Sequence, residues 1–160
     1  MGSRWTAVAT GLAMFGWSAA AGAQTMVDAT KPDDIAAVLK GFGSAVVEKT
    51  DKGMPKISAR ADGQKYWVSF YGCADDGTGC RSIELWTYWS GDFDLQEVND
   101  WNVKKRFAKI YLDEDDDLSV SMDVQLSHGV DRGTLEDNID MWVSQMTDVR
   151  EQFVKGGSGQ

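Results

Sequence analysis

The sequence predicts an α+β domain: an antiparallel sheet with helices packed on one side, in the order α-ββββ-α-ββ-α. Three observations predict it. Segments 65–73, 80–89 and 118–126 alternate residues between two faces with a period of two, as strands do. Segments near 31–42, 94–106 and 131–154 carry apolar residues three and four apart, as amphipathic helices do. Short turns rich in Gly and Asp separate the strand segments, so neighbouring strands join as hairpins.

Each element has its own signal. Residues 24–30 read as a lead-in, with Thr30 placed as the N-cap of the first helix and Pro32 and Asp33 in its first turn. Ile35, Val38, Leu39 and Phe42 follow at helical spacing, and Gly41 and Gly43 end the helix. Ala45–Val47 starts a strand, 51–53 turn, and 56–60 return as a second strand. In the third, Tyr66, Val68 and Phe70 share one face and Trp67, Ser69 and Tyr71 the other. In the fourth, Ile83, Leu85, Thr87 and Trp89 alternate with Glu84, Trp86 and Tyr88. β-branched and aromatic residues of this kind suit a pleated surface.

Asp92 or Asp94 caps a second helix through Leu95, Val98 and Trp101, with Lys104, Lys105 and Arg106 at its end, where cations oppose the helix dipole favourably. A fifth strand spans 109–113 and an acidic turn 113–117. In the sixth strand Leu118, Val120, Met122, Val124 and Leu126 alternate with polar residues. The last helix runs from about Asp131 to Val154, its apolar seam formed by Leu135, Ile139, Trp142, Met146, Val149 and Phe153. No internal repeat or linker interrupts this order, so 24–154 read as one domain and 155–160 as a flexible tail.

Residues 1–23 read as an export signal. Arg4 is their single charge, an apolar stretch follows from Trp5 to Trp17, and Ala21-Gly22-Ala23 supplies small residues for cleavage. The apolar stretch is short of the roughly 20 residues a membrane helix needs. The expected location is periplasmic or secreted, with no membrane attachment after cleavage. The chain has 160 residues and a net charge of −9, and loss of Arg4 makes it one unit more acidic. Such a charge repels phosphate backbones, so nucleic acid is not an expected partner.

Cys73 and Cys80 are the two cysteines, with turn-forming residues between them. In an exported chain such a pair reads as a disulfide. The rival, a thiolate metal site with Asp75 and Asp76, lacks a His or a second cysteine pair.

Several clusters invite a chemical role. The 113–117 run is acidic, but a calcium loop starting at Asp113 needs Gly and Glu where Leu118 and Val124 stand. Asn99 and Asn102 share a helix face and suit a structural hydrogen-bonding role between helix and sheet. His128 lies between Ser127 and Asp131, without the elbow motif of a serine hydrolase. No catalytic, cofactor-binding or metal-ligating residue is therefore expected. The remaining feature is aromatic: Trp67, Tyr71, Trp86 and Tyr88 share the sheet face opposite Val68 and Leu85. They form either a peptide or carbohydrate platform, or a second core layer or dimer interface; both readings stand.

The run Val98-Asn99-Asp100-Trp101-Asn102, then Arg106-Phe107, Lys109 to Asp113, Met122-Asp123-Val124 and Gly129-Val130 together resemble the YbjN-type domain family. So do Lys31 to Ile35 and Gly41-Phe42, and the likeness covers roughly 30–154. The resemblance implies a fold like that of the type III secretion chaperones, which are small, acidic and often dimeric. It implies membership in a group described as sensory-transduction regulators, and it supplies no catalytic residues. The export signal and the cysteine pair set this chain apart. The expectation is an exported, non-catalytic module that binds a protein or peptide, with no cofactor and with homodimerisation open. The competing expectation is a small periplasmic hydrolase or ligand-processing enzyme.

Overall fold

The computed structural model describes residue 2 and residues 26–155; the rest of the expected export signal and the expected tail beyond 155 lie outside them. Strand β1 (Met26–Val27) precedes helix α1 (Pro32–Leu39). Four strands follow: β2 (Ser44–Lys49), β3 (Pro55–Ala61), β4 (Gln64–Tyr71) and β5 (Ser82–Trp89). Then come α2 (Leu95–Lys104), β6 (Lys109–Leu112), β7 (Leu118–Gln125), β8 (Val130–Asp131) and α3 (Arg132–Val149), which continues into a π-helical turn (Arg150–Lys155). This is the α+β class and element order read from the sequence, with two short strands added.

The main sheet has the order β2-β3-β4-β5-β7-β6, all neighbours antiparallel. Its inner face is apolar because alternation and register agree: Ile57 lies opposite Val68, Val68 opposite Leu85, and Leu85 opposite Met122. All four are buried. Helices α1 and α3 cover that face and α2 packs against edge strand β6. The α3 seam is buried throughout, from Leu135 to Phe153, and Trp142 meets Tyr66 with ring centroids 5.8 Å apart. Fully burying side chains of this size removes about 1.5–3 kcal/mol of unfavourable apolar exposure each, so this face carries the core.

Two local expectations are corrected. Thr30 does not cap α1: its N–H and hydroxyl both donate to the Asp28 carboxylate, and Lys31 occupies the cap position without a side-chain bond. The nearer acceptor wins, since such side chains satisfy adjacent backbone readily. The lead-in is also not featureless, because Met26 and Val27 pair with Asp131 and Val130 in a second, two-stranded sheet. The turn after α1 depends on Gly43, where a Cβ would stand 2.0 Å from the Arg60 carbonyl oxygen.

Candidate functional site

Opposite the helices, the outer sheet face carries the aromatic residues. Trp67 on β4 and Trp86 on β5 are directly paired across strands, and their rings stack at 4.8 Å. Tyr88, two residues along β5, stacks on Trp67 at 5.9 Å and on Trp86 at 6.4 Å. Stacked aromatics of this kind contribute about 0.5–1.5 kcal/mol beyond area burial. The Trp86 indole N–H donates to Ser69 Oγ at 2.9 Å, which fixes its ring orientation. Trp67 and Trp86 are half-buried, while Tyr88 and Tyr71 are exposed.

Tyr71 stands apart from the stack. Its hydroxyl donates to Glu84 Oε2 at 2.8 Å. Desolvation first, then that bond and the neighbouring charges of Glu84 and Asp123, push the phenol up to about 12. Trp89 alternates onto the inner side and donates to Gln64 Oε1 at 3.1 Å.

The structure adds members that the sequence reading left out. Lys56 Nζ lies 5.3 Å above the Trp67 ring and 5.6 Å above Trp86, and Lys65 Nζ lies 4.9 Å above Trp67. Lys109 Nζ stands 5.7 Å from the Tyr111 ring on the same face. Lys65 could have been placed by parity, being two residues before Trp67. Lys56 could not, because only the β3–β4 register brings it beside Ser69.

The hairpin that carries the aromatics is closed by the Cys73–Cys80 disulfide. Inside it Ala74 N–H donates to the Thr78 carbonyl at 2.7 Å, and Asp76 accepts from both the hydroxyl and the N–H of Thr78.

The other clusters have structural tasks. Asp113 Oδ1 accepts from the N–H groups of Asp115 and Asp117, and Oδ2 from Ser119 Oγ, so its carboxylate shapes the β6–β7 turn. Asp131 caps α3 by accepting from the N–H and hydroxyl of Thr134; those bonds hold its carboxyl below the usual aspartate range. His128 is exposed on the turn before β8, and Ser127 is half-buried. No group of three His, Cys, Asp or Glu side chains suited to a metal ion occurs among the described residues. Asn102 bonds the backbone of Ile110 in both directions, and Asn99 is exposed.

A family model, YbjN, described as "Putative bacterial sensory transduction regulator", matches residues 31–155. The chain belongs to the YbjN family. Within this YbjN domain, the run that carried the resemblance lies at the junction of α2 and β6, where Trp101 is buried and Asn102 holds Ile110. Among solved structures, the chain is similar to the Yersinia pestis type III secretion chaperone SycH, crystallised with a stable fragment of YscM2. That likeness has 12% identity and a TM-score of 0.46, and covers 71% of this chain and 98% of that one. No curated protein matches.

Proposed function

We propose that this chain is an exported, non-catalytic module that holds another protein on the outer face of its sheet. The observation that carries this reading is the Trp67–Trp86–Tyr88 stack, placed on the face opposite α1 and α3. Rigid aromatic side chains offer large contact area at low entropic cost and are the usual anchors of protein interfaces. The export part rests on Arg4, the apolar stretch after it, Ala21-Gly22-Ala23, and a disulfide of a kind that persists in oxidising compartments. The mature chain then begins near Gln24. The non-catalytic part is supported by the carboxylates of Asp113 and Asp131, which are engaged in a turn and a helix cap.

The test is substitution on the face. Trp86→Ala and Tyr88→Ala should leave the fold intact, each losing no more than about 0.5–1.5 kcal/mol of stacking, while removing a partner crosslinked in the periplasm. A stability loss as large as the 3–5 kcal/mol typical of a truncated core aromatic would make the stack part of the core and end this reading. Cell fractionation that leaves the chain uncleaved in the cytoplasm would end the export part.

A further inference from the structure

We propose that the occupant of the outer face is an acidic polypeptide segment. Its carboxylates would meet Lys56, Arg60, Lys65 and Lys109, and its apolar side chains the aromatic stack. This deepens the reading above and rests on it.

The charge distribution argues for it. The chain as a whole is strongly acidic, yet this face gathers four cations. None of the four forms a salt bridge among the described residues. Three acids share the face: Glu48, directly opposite Lys56, accepts from Ser58 Oγ at 2.9 Å, Glu84 accepts from Tyr71, and Asp123 lies opposite Glu84, three strands from Lys56. Three of the cations lie over aromatic rings instead of beside carboxylates. The electron-rich ring faces are thereby already occupied by positive charge, so a cationic ligand is repelled and an anionic one attracted.

A pocket adjoins the stack and has matching chemistry. It is shallow, about 170 Å³, and lined by Ser44, Val46, Ser58, Ala59, Arg60 and Lys65. Ser58 lies directly opposite Trp67, so the pocket and the stack are continuous. Its two cations, Arg60 and Lys65, suit the side chain of a Glu or Asp, with the Ser58 hydroxyl already donated to Glu48. A polynucleotide would set a long run of phosphates against the chain's net charge of −9, whereas a peptide brings few charges with apolar side chains between them.

The experiment uses the mature full chain, tryptophan fluorescence, and three synthetic peptides of one length. One is built from Glu, Leu and Ser; in the others Lys or Gln replaces Glu. A poly-dT oligonucleotide is the fourth probe. The acidic peptide should bind roughly tenfold more tightly than the other peptides, weaken with added salt, and weaken by a similar factor in Lys56→Glu/Lys65→Glu. Lys56→Gln/Lys65→Gln, with unchanged melting, guards against a folding defect. Equal or tighter binding of the Lys peptide, the Gln peptide or poly-dT overturns the proposal. So does an acidic peptide that fails to bind or ignores both double variants. A self-association lost in the double variants also overturns it, because the face then belongs to a second copy. Crosslinking in the periplasm separates the two readings. Partner loss in Trp86→Ala but not in Lys56→Glu/Lys65→Glu leaves protein docking standing and removes the acidic partner; no loss in either removes both.

Discussion

Asn102 pairs with Ile110 as a neighbouring strand would: its Nδ2 donates to the Ile110 carbonyl at 2.8 Å and its Oδ1 accepts the Ile110 N–H at 3.0 Å. Ile110 lies on β6, the last strand of the sheet, so one helix side chain closes the open edge at that point. Asn102→Ala should cost about 1–3 kcal/mol, the worth of two such bonds, read from urea unfolding. Asn102→Asp should cost at least as much at neutral pH, because a carboxylate then faces the Ile110 carbonyl. The gap to the parent should narrow in acid, where a protonated Asp regains a donor.

The Cys73–Cys80 bond closes a short loop, and the chain-entropy model assigns such a loop about 2.5 kcal/mol. Cys73→Ser/Cys80→Ser should lose about that much unfolding free energy. Freshly prepared native protein should show no titratable thiol; two thiols would contradict the expectation.

Phe107 is more than half exposed and holds φ at 76°, a conformation costly for a residue with a Cβ. Phe107→Gly should therefore raise stability, by up to about 1 kcal/mol. Phe107→Val should lower the melting temperature, since a β-branched residue fits that backbone worst.

Asp131→Ala should destabilise the protein at neutral pH by removing the α3 cap. The Asp131 carboxyl is held low by the Thr134 hydroxyl and then by the Thr134 N–H. A lowered folded-state pKa stabilises above the unfolded aspartate value of about 3.9. The difference between parent and variant should thus be full above that pH and vanish as pH falls through the lower folded value. Urea midpoints measured across that range would check it.

Tyr71 should titrate late, at about 12, in an ultraviolet titration. Glu84→Gln should lower that midpoint yet leave it above the ordinary tyrosine value, because desolvation is the larger cause. The raised pKa means that its contribution to stability is present below the ordinary tyrosine value and lost as pH rises through Tyr71's own.

Much of this fold was legible because its signals are local. Period-two alternation put Val68 and Leu85 inside and Trp67 and Trp86 outside, and the spacing from Leu135 to Phe153 marked the buried seam of α3. What was missed depends on distant partners or on competition between near neighbours. Lys56 joins the aromatic face through strand register, β1 exists through its pairing with β8, and Thr30 was lost as a cap to Asp28. The position of the aromatic stack was readable from parity, whereas the cations above it required the folded sheet.

Strand β1 has a consequence for the order of events in the chain's life. Its partner, Val130–Asp131, is made about a hundred residues after it, so the first strand cannot find that partner until most of the domain has been synthesised. Val27, buried in the finished protein, lacks its Val130 partner until then. An amino-terminal fragment that stops short of β8 lacks the strand and the helix that β1 contacts. The beginning of the domain thus works as a late clasp, fastened only once the segment leading into α3 is in place.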